Sequence, residues 1–211
     1  MWQPRGRQLA AIKTALFALC LVPFAHLVWG VAYDALGANP VEAVTHSTGW
    51  WTLFLLCVTL GITPLRRATG ANWLLRLRRM LGLYAFFYVV LHFLTYIWLD
   101  QWFDVLAITK DVLKRPYITL GFTSFLLLIP LAATSTDAMQ RRLGRSWQRV
   151  HRFIYLIALF GVLHFWWLVK RDVTEPALFA LALAGLLGVR LYWLLRQRAR
   201  IARTAIATSG G

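Results

Sequence analysis

Several signatures of soluble redox and nucleotide-binding proteins are missing from this sequence. It has no Gly-x-Gly-x-x-Gly dinucleotide turn and no Gly-Lys-Ser/Thr phosphate loop, so neither common nucleotide-binding motif is available. A Cys-x-x-Cys-His motif is also absent, which excludes covalent attachment of a c-type haem. The two cysteines, Cys20 and Cys57, lie inside apolar runs without metal-ligand or disulfide spacing. We therefore expect no nicotinamide site and no catalytic substrate pocket.

Acidic residues are scarce, with 8 against 23 lysines and arginines, while 59% of the 211 residues are hydrophobic. The apolar residues fall in runs of roughly 18–24, the length that a helix needs to cross a bilayer. We predict an all-α integral membrane bundle of six transmembrane helices, at 9–33, 50–65, 80–99, 117–134, 150–169 and 176–195. Residues 1–211 are expected to form a single domain, with core spans over about 9–195 and a basic cytoplasmic tail at 196–211. No internal repeat is evident.

The distribution of positive charge predicts the orientation of these spans. Of the 23 basic residues, 18 fall on the side that holds both termini, and seven of the eight acidic residues fall on the opposite side. Because lysine and arginine accumulate in cytoplasmic loops, we expect both termini in the cytoplasm. The net charge of +15 is then a topology signal, and nucleic acid is not an expected partner. The basic loop at 141–149 is typical of contact with anionic lipid, with a flavin phosphate or a soluble reductase as alternatives.

Two histidines lie at matching depths in the predicted bundle. His92 and His164 are each about 20 Å from the cytoplasmic ends of the third and fifth spans, which run in the same direction. Ionisable residues inside a membrane are costly and usually functional. Two neutral imidazoles at one level are suited to be the axial ligands of a b-type haem. The alternative is a pair of hydrogen-bonded histidines that only help the helices to pack.

A third histidine, His151, lies at the cytoplasmic end of the fifth span, where it is suited to a second haem. On an ideal helix it points roughly 140° away from His164, so either the helix is distorted near Gly161 or the two sites face different neighbours. The third span has no histidine at this level, and Arg78 stands there instead. Arg78 is thus the candidate for an unusual second contact, and a solvated interfacial His151 is the alternative.

Other candidate residues lie on the periplasmic side. Haem propionates favour cationic partners, and Arg115, Lys170 and Arg171 are the candidates for propionate or partner contact. Arg115 also precedes a proline in the manner of an ordinary helix start. His26 is expected to be an interfacial residue of the first span. His46 precedes the second span, either as a loop residue or as part of a quinol or partner site.

Several stretches of the sequence resemble the ferric-reductase-like transmembrane superfamily. They are Pro40-Val41, His46, Thr48-Gly49, Thr63-Pro64-Leu65, Arg78-Arg79-Met80-Leu81-Gly82-Leu83-Tyr84, Leu91-His92, Arg115-Pro116-Tyr117-Ile118-Thr119-Leu120-Gly121, Thr134-Ser135, Arg142-Leu143-Gly144, Trp147, His151-Arg152 and His164. The similarity covers nearly the whole chain and weakens after about Glu175. More narrowly, the chain resembles the MsrQ family, the haem-binding membrane subunits of bacterial protein-methionine-sulfoxide reductase systems.

This resemblance implies a multi-pass protein of the bacterial inner membrane that carries one or two haems b and, in some members, FMN. It implies a redox subunit, without catalysis of its own, that takes electrons from the quinone pool. The recipient would be MsrP, a periplasmic molybdopterin enzyme that repairs oxidised methionines. By resemblance, His92 and His164 match the outer haem ligands and His151 the inner histidine, whereas no residue is matched to FMN. A stand-alone ferric or flavin-linked reductase and a haem-free scaffold or transporter are the alternative functions.

Overall fold

Long apolar helices dominate the protein in a computed structural model, which describes the backbone of residues 3–169 and 172–209 and the side chains up to residue 201. By length and composition, six helical segments are able to cross a membrane, namely Arg7–Ala32, Pro40–Thr69, Asn72–Asp100, Pro116–Ala133, Arg145–Leu168 and Thr174–Ile201. The predicted all-α fold with six spans is confirmed. Since the number of spans is even, the chain begins and ends at the same end of the bundle, which we call the inner end.

The helices of the described residues follow each other as α1 (Arg7–Ala32), α2 (Pro40–Thr69), α3 (Leu75–Leu94), α4 (Val105–Lys114), α5 (Pro116–Ala133), α6 (Asp137–Leu143), α7 (Arg145–His151), α8 (Phe153–Leu168) and α9 (Thr174–Ser209). A 3-10 turn, Asn72–Leu74, leads into α3, and a π-helical turn, Thr95–Asp100, extends its outer end. The short helix α4 lies in the outer loop, and α6 and α7 lie at the inner end.

The second membrane helix begins ten residues earlier than the sequence predicted. Asn39 caps α2 by accepting a hydrogen bond from the Glu42 amide, and Pro40 occupies the first helical position. Both are ordinary start signals, but the prediction at residue 50 followed only the apolar run. As a consequence, His46 lies on a helix and not in a loop.

Two further features concern helix ends. Helix α9 continues to Ser209, into the segment at 196–211 that is predicted to be a basic cytoplasmic tail. The fifth span is interrupted at Arg152, between α7 and α8, whereas Gly161 lies inside the uninterrupted α8. The distortion between His151 and His164 is therefore next to His151 and not at the glycine.

Two antiparallel helix pairs form the centre of the bundle. Helix α2 packs along α3, and α5 packs along α8, while α9 contacts both α2 and α8. The residues with no accessible surface where these helices meet include Leu60, Ala85 and Ala158, and Ile157 is only 1% exposed. Alanines at such positions allow close approach of the helices, which is typical of packing in membranes.

Helix α1 is held to this centre by a tyrosine of α3. The Tyr88 hydroxyl donates to the Cys20 carbonyl at 2.7 Å and accepts from the Phe24 amide at 3.1 Å. It is thus inserted into the backbone hydrogen bonding of α1 next to Pro23, which has no amide hydrogen to donate. A completely buried hydroxyl with both partners satisfied fixes α1 against α3 without an unpaired polar group.

Candidate metal centre

The structure brings His92 and His164 together in the outer half of the bundle. Their ring centroids are 6.2 Å apart and the ring planes are at 84° to each other. His92 lies near the outer end of α3, and His164 lies in the last turns of α8. The two residues, which were predicted to lie at equal depth, are thus also neighbours across the interface between the two helix pairs.

Each imidazole is fixed by a backbone carbonyl of the partner helix in its pair. His92 Nδ1 lies 2.9 Å from the Thr45 carbonyl oxygen of α2, and His164 Nδ1 lies 2.7 Å from the Tyr117 carbonyl oxygen of α5. Since a carbonyl oxygen only accepts, each Nδ1 must carry the hydrogen. The lone pair of a neutral ring is then on Nε2, which is the arrangement that carbonyl-oriented histidine ligands of metals use.

A glycine makes room for each ring. A Cβ atom added to Gly49 of α2 would lie 3.1 Å from His92 Nδ1, and one added to Gly121 of α5 would lie 2.9 Å from His164 Nδ1. Such distances are shorter than ordinary van der Waals contact. At these two positions glycine is needed because the imidazoles lie directly against the helix backbone.

The two halves of this centre are related by an internal repeat, so the expectation that the sequence contains none was wrong. Each histidine follows its carbonyl partner by 47 residues. A shift of 72 in the numbering carries Thr45, Gly49 and His92 onto Tyr117, Gly121 and His164. The tetrapeptide Val-Leu-His-Phe occurs at 90–93 and again at 162–165. Because both pairs run in the same direction, they form a parallel repeat with the histidines between them.

The donor set and the spacing fit a haem iron with two imidazole ligands. A metal bound to both rings at the usual imidazole distance of about 2 Å would hold the ring centroids roughly 6 Å apart, close to the 6.2 Å observed. Among the side chains that the structure describes, no group of three or more His, Cys, Asp or Glu residues is placed to hold a metal ion. A metal with four protein ligands is thus not favoured, whereas a porphyrin supplies four nitrogens itself.

The inner candidates, His151 and Arg78, interact electrostatically. The His151 ring stacks on Trp147 at 3.9 Å, and its Nδ1 lies 3.1 Å from the Trp147 carbonyl oxygen. Arg78 of α3 lies within electrostatic range of His151. The side chains described for this region include no second histidine, so a symmetrical pair like the outer one does not exist at the inner end.

Two other histidines were left with open or peripheral roles. His26 is exposed on α1, as an interfacial residue would be. His46, on α2, places Nε2 3.4 Å from Glu175 Oε2 of α9, and its ring meets Phe165 edge-on at 5.8 Å. No local pattern predicted the contact between His46 and Glu175, because the two residues are far apart in the chain.

Of the three cations predicted on the periplasmic side, the structure describes Arg115. Arg115 Nε lies 3.4 Å from Asp111 Oδ1, and this carboxylate raises the pKa of the Arg115 guanidinium, which therefore stays charged. Arg115 also immediately precedes α5, whose second residue, Tyr117, holds His164. Lys170 and Arg171, the other two predicted propionate or partner contacts, lie outside the described residues.

Fold and site together define a class, that of polytopic helical membrane proteins with a pair of histidines between two membrane hairpins. A family model described as "Ferric reductase like transmembrane component" matches residues 48–162. Curated relatives are about half identical to this chain over nearly its whole length. The chain belongs to the MsrQ family of ferric-reductase-like transmembrane proteins. The resemblance noted in the sequence is thus confirmed.

Three relatives illustrate the similarity, and each is named protein-methionine-sulfoxide reductase heme-binding subunit MsrQ. The protein of Herminiimonas arsenicoxydans is 52% identical over 202 residues, which cover 94% of this chain and 93% of the relative. That of Ralstonia nicotianae is 54% identical over 193 residues, covering 90% and 89%. That of Azospira oryzae is 54% identical over 202 residues, covering 95% and 85%.

Proposed function

We propose that this chain is the haem b-binding membrane subunit of a protein-methionine-sulfoxide reductase system in the bacterial inner membrane. In this role it takes electrons from quinol and delivers them to MsrP, a periplasmic molybdopterin-containing subunit that repairs oxidised proteins. The names of the relatives support the haem and the reductase system. The chain acts as a redox subunit and has no substrate chemistry of its own.

The observation that carries the proposal is the pair of carbonyl-anchored imidazoles. His92 and His164 would hold the haem iron through Nε2, because their Nδ1 hydrogens are donated to Thr45 and Tyr117. A haem held there supplies one-electron redox chemistry. The two carbonyls orient the rings and increase their basicity as ligands. The apolar helices around them keep water from the centre.

The remaining parts of the proposal have less specific support. His151 is the candidate ligand for a second haem, with Arg78 of α3, which interacts with it electrostatically, as the candidate for the second contact. Arg115 is a candidate contact for a propionate or for MsrP, since it is half exposed at the outer end. FMN rests on the family resemblance alone, and no residue is assigned to it.

The ligand assignment is tested by removing each imidazole. In purified full-length protein, His92→Ala and His164→Ala are each expected to abolish most of the b-type absorption, measured as pyridine haemochrome per protein. His26→Ala is the matched control, because this exposed histidine lies on α1 and away from the pair. Full haem content in both ligand variants would refute the assignment.

Electron delivery is tested on the same preparation. We expect a quinol analogue to reduce the haem and oxidised MsrP to reoxidise it. A stand-alone ferric reductase, which the family description also suggests, would instead be reoxidised by ferric chelates and be indifferent to MsrP. A colourless wild-type protein would favour the haem-free scaffold.

A further inference from the structure

A proline in α2 creates an unusual acceptor in the inner half of the bundle. Pro64 lies inside α2 and has no amide hydrogen, so the carbonyl of Leu60 loses its helical partner. Arg190 of α9 takes this place, because its Nη2 donates to the Leu60 carbonyl oxygen at 2.7 Å. From the sequence Arg190 was only one of the basic residues that indicate topology, yet its side chain is directed into the bundle.

The rest of the Arg190 guanidinium packs against an aromatic ring but has no anionic partner among the described residues. Its central carbon lies 5.0 Å from the centre of the Tyr155 ring of α8. Its Nη1 is completely buried and has no hydrogen-bond partner among the described residues. A buried, unpaired donor on a charged group is costly, and evolution seldom retains an unpaired arginine inside a membrane helix without a function.

Among the residues that the structure describes, no carboxylate is placed to balance this charge. Seven of the eight acidic residues lie at the outer end, and the eighth, Asp137, pairs with Arg79 at 3.0 Å. The charged neighbours of Arg190 are instead two more cations, Arg78 and Arg67. The hydroxyl of Thr59, which precedes Leu60 in α2, is also buried without a hydrogen-bond partner among the described residues. Excess positive charge and unpaired donors together favour an anion from outside the chain.

We propose that Arg190 binds an oxyanion of a ligand in the inner half of the bundle. The chemistry is that of a carboxylate or a phosphate, since a guanidinium matches both with two parallel hydrogen bonds. The carboxylate source is a propionate of a second haem beside His151 and Arg78, and in that case the inference rests on the proposed function. The phosphate source is a phospholipid or FMN. Pro64 has a positioning role, because the carbonyl that it frees fixes the orientation of the guanidinium.

The test compares Arg190→Gln with Arg198→Gln in full-length protein purified in detergent. Arg198 is an exposed arginine of the same helix, so it controls for loss of one positive charge. Haem is measured as pyridine haemochrome, phosphorus by elemental analysis and flavin by fluorescence after extraction, each per protein. In Arg190→Gln we expect one of these to fall, with an affinity loss of at least about tenfold, and no change in Arg198→Gln.

The three measurements distinguish a propionate from a phosphate as the ligand of Arg190. They also distinguish failure of this inference from failure of the proposed function. Loss of haem identifies a propionate, and loss of phosphorus, with or without flavin, identifies a phosphate. Wild-type protein without haem would refute the proposed function but leave the phosphate measurement valid. Wild-type and Arg190→Gln proteins with equal haem, phosphorus and flavin would overturn the inference. If Arg190→Gln does not fold, Arg190→Lys decides, since it keeps the charge but loses the paired hydrogen bonds, and unchanged ligand content again overturns it.

Discussion

The sharpest structural requirement of the outer centre is the absence of a side chain at Gly121. In Gly121→Ala the new Cβ would lie 2.9 Å from His164 Nδ1 and 3.0 Å from the neighbouring ring carbon. The ring cannot easily move away, because Nδ1 is held by the Tyr117 carbonyl at 2.7 Å. Overpacking of this kind costs about 1–3 kcal/mol. If that cost falls on ligand geometry, the affinity for haem weakens by a factor of about 5 to 160.

Other glycines of the same protein provide graded controls. Gly49→Ala is expected to have a somewhat smaller effect than Gly121→Ala, because its Cβ would be 3.1 Å from the His92 ring. A Cβ on Gly82 would meet its nearest neighbour at 3.9 Å, and one on Gly185 would meet nothing within 4 Å. Alanine at these two positions is expected to be neutral or slightly stabilising, since alanine favours the helical backbone.

The assay is haem content during stepwise dilution in detergent, followed by the α-band of the reduced protein. The expected order of haem loss is Gly121→Ala first, then Gly49→Ala, with Gly82→Ala and Gly185→Ala close to the wild type. If all four variants retained haem as well as the wild type does, the view that the imidazoles lie against the helix backbone would be refuted. Equal loss in all four would point to a general effect of altered helices and refute it as well.

Two further predictions concern the rings and the bundle. Because the planes of His92 and His164 are at 84°, the oxidised outer haem is expected to give a highly anisotropic low-spin EPR signal; an ordinary rhombic signal would contradict perpendicular rings. Tyr88→Phe is expected to lower the free energy of unfolding in detergent by about 1 kcal/mol, since it removes a buried hydroxyl with two partners in α1. Tyr33→Phe, at a side chain that is 70% exposed, is the control and is expected to have no effect.

The six spans were predictable because a helix that crosses a bilayer needs about 20 consecutive, predominantly apolar residues, and such a run is visible in the sequence. The helix ends were not, because they depend on caps and on polar residues that remain helical beyond the hydrocarbon. Asn39 and Pro40 are recognisable start signals, but they stand ten residues before the apolar run begins. The interruption at Arg152 has no proline or glycine to announce it.

The histidine pair was also partly predictable, since depth along a helix follows from counting residues. The carbonyls and glycines that complete the centre were not predictable, because backbone carbonyls have no sequence signature and glycine is common in membrane helices. The repeated Val-Leu-His-Phe tetrapeptide was the available signal. It would have led to Gly49 and Gly121 through the shared spacing from each histidine. The contact of Arg190 with Leu60 depends on the packing of α9 against α2, which no local pattern indicates.

The repeat also explains why the two ends of the bundle differ. The shift of 72 that superimposes the outer histidines carries Arg79 onto His151, and Arg79 is engaged with Asp137 at the surface. The symmetry that supplies two imidazoles at the outer level therefore supplies only one at the inner level. Any inner ligand must be held by unlike groups from the two hairpins, and α9, which has no counterpart in the repeat, contributes the cation Arg190. An inner haem is accordingly expected to be bound more weakly than the outer one and to be lost first on dilution.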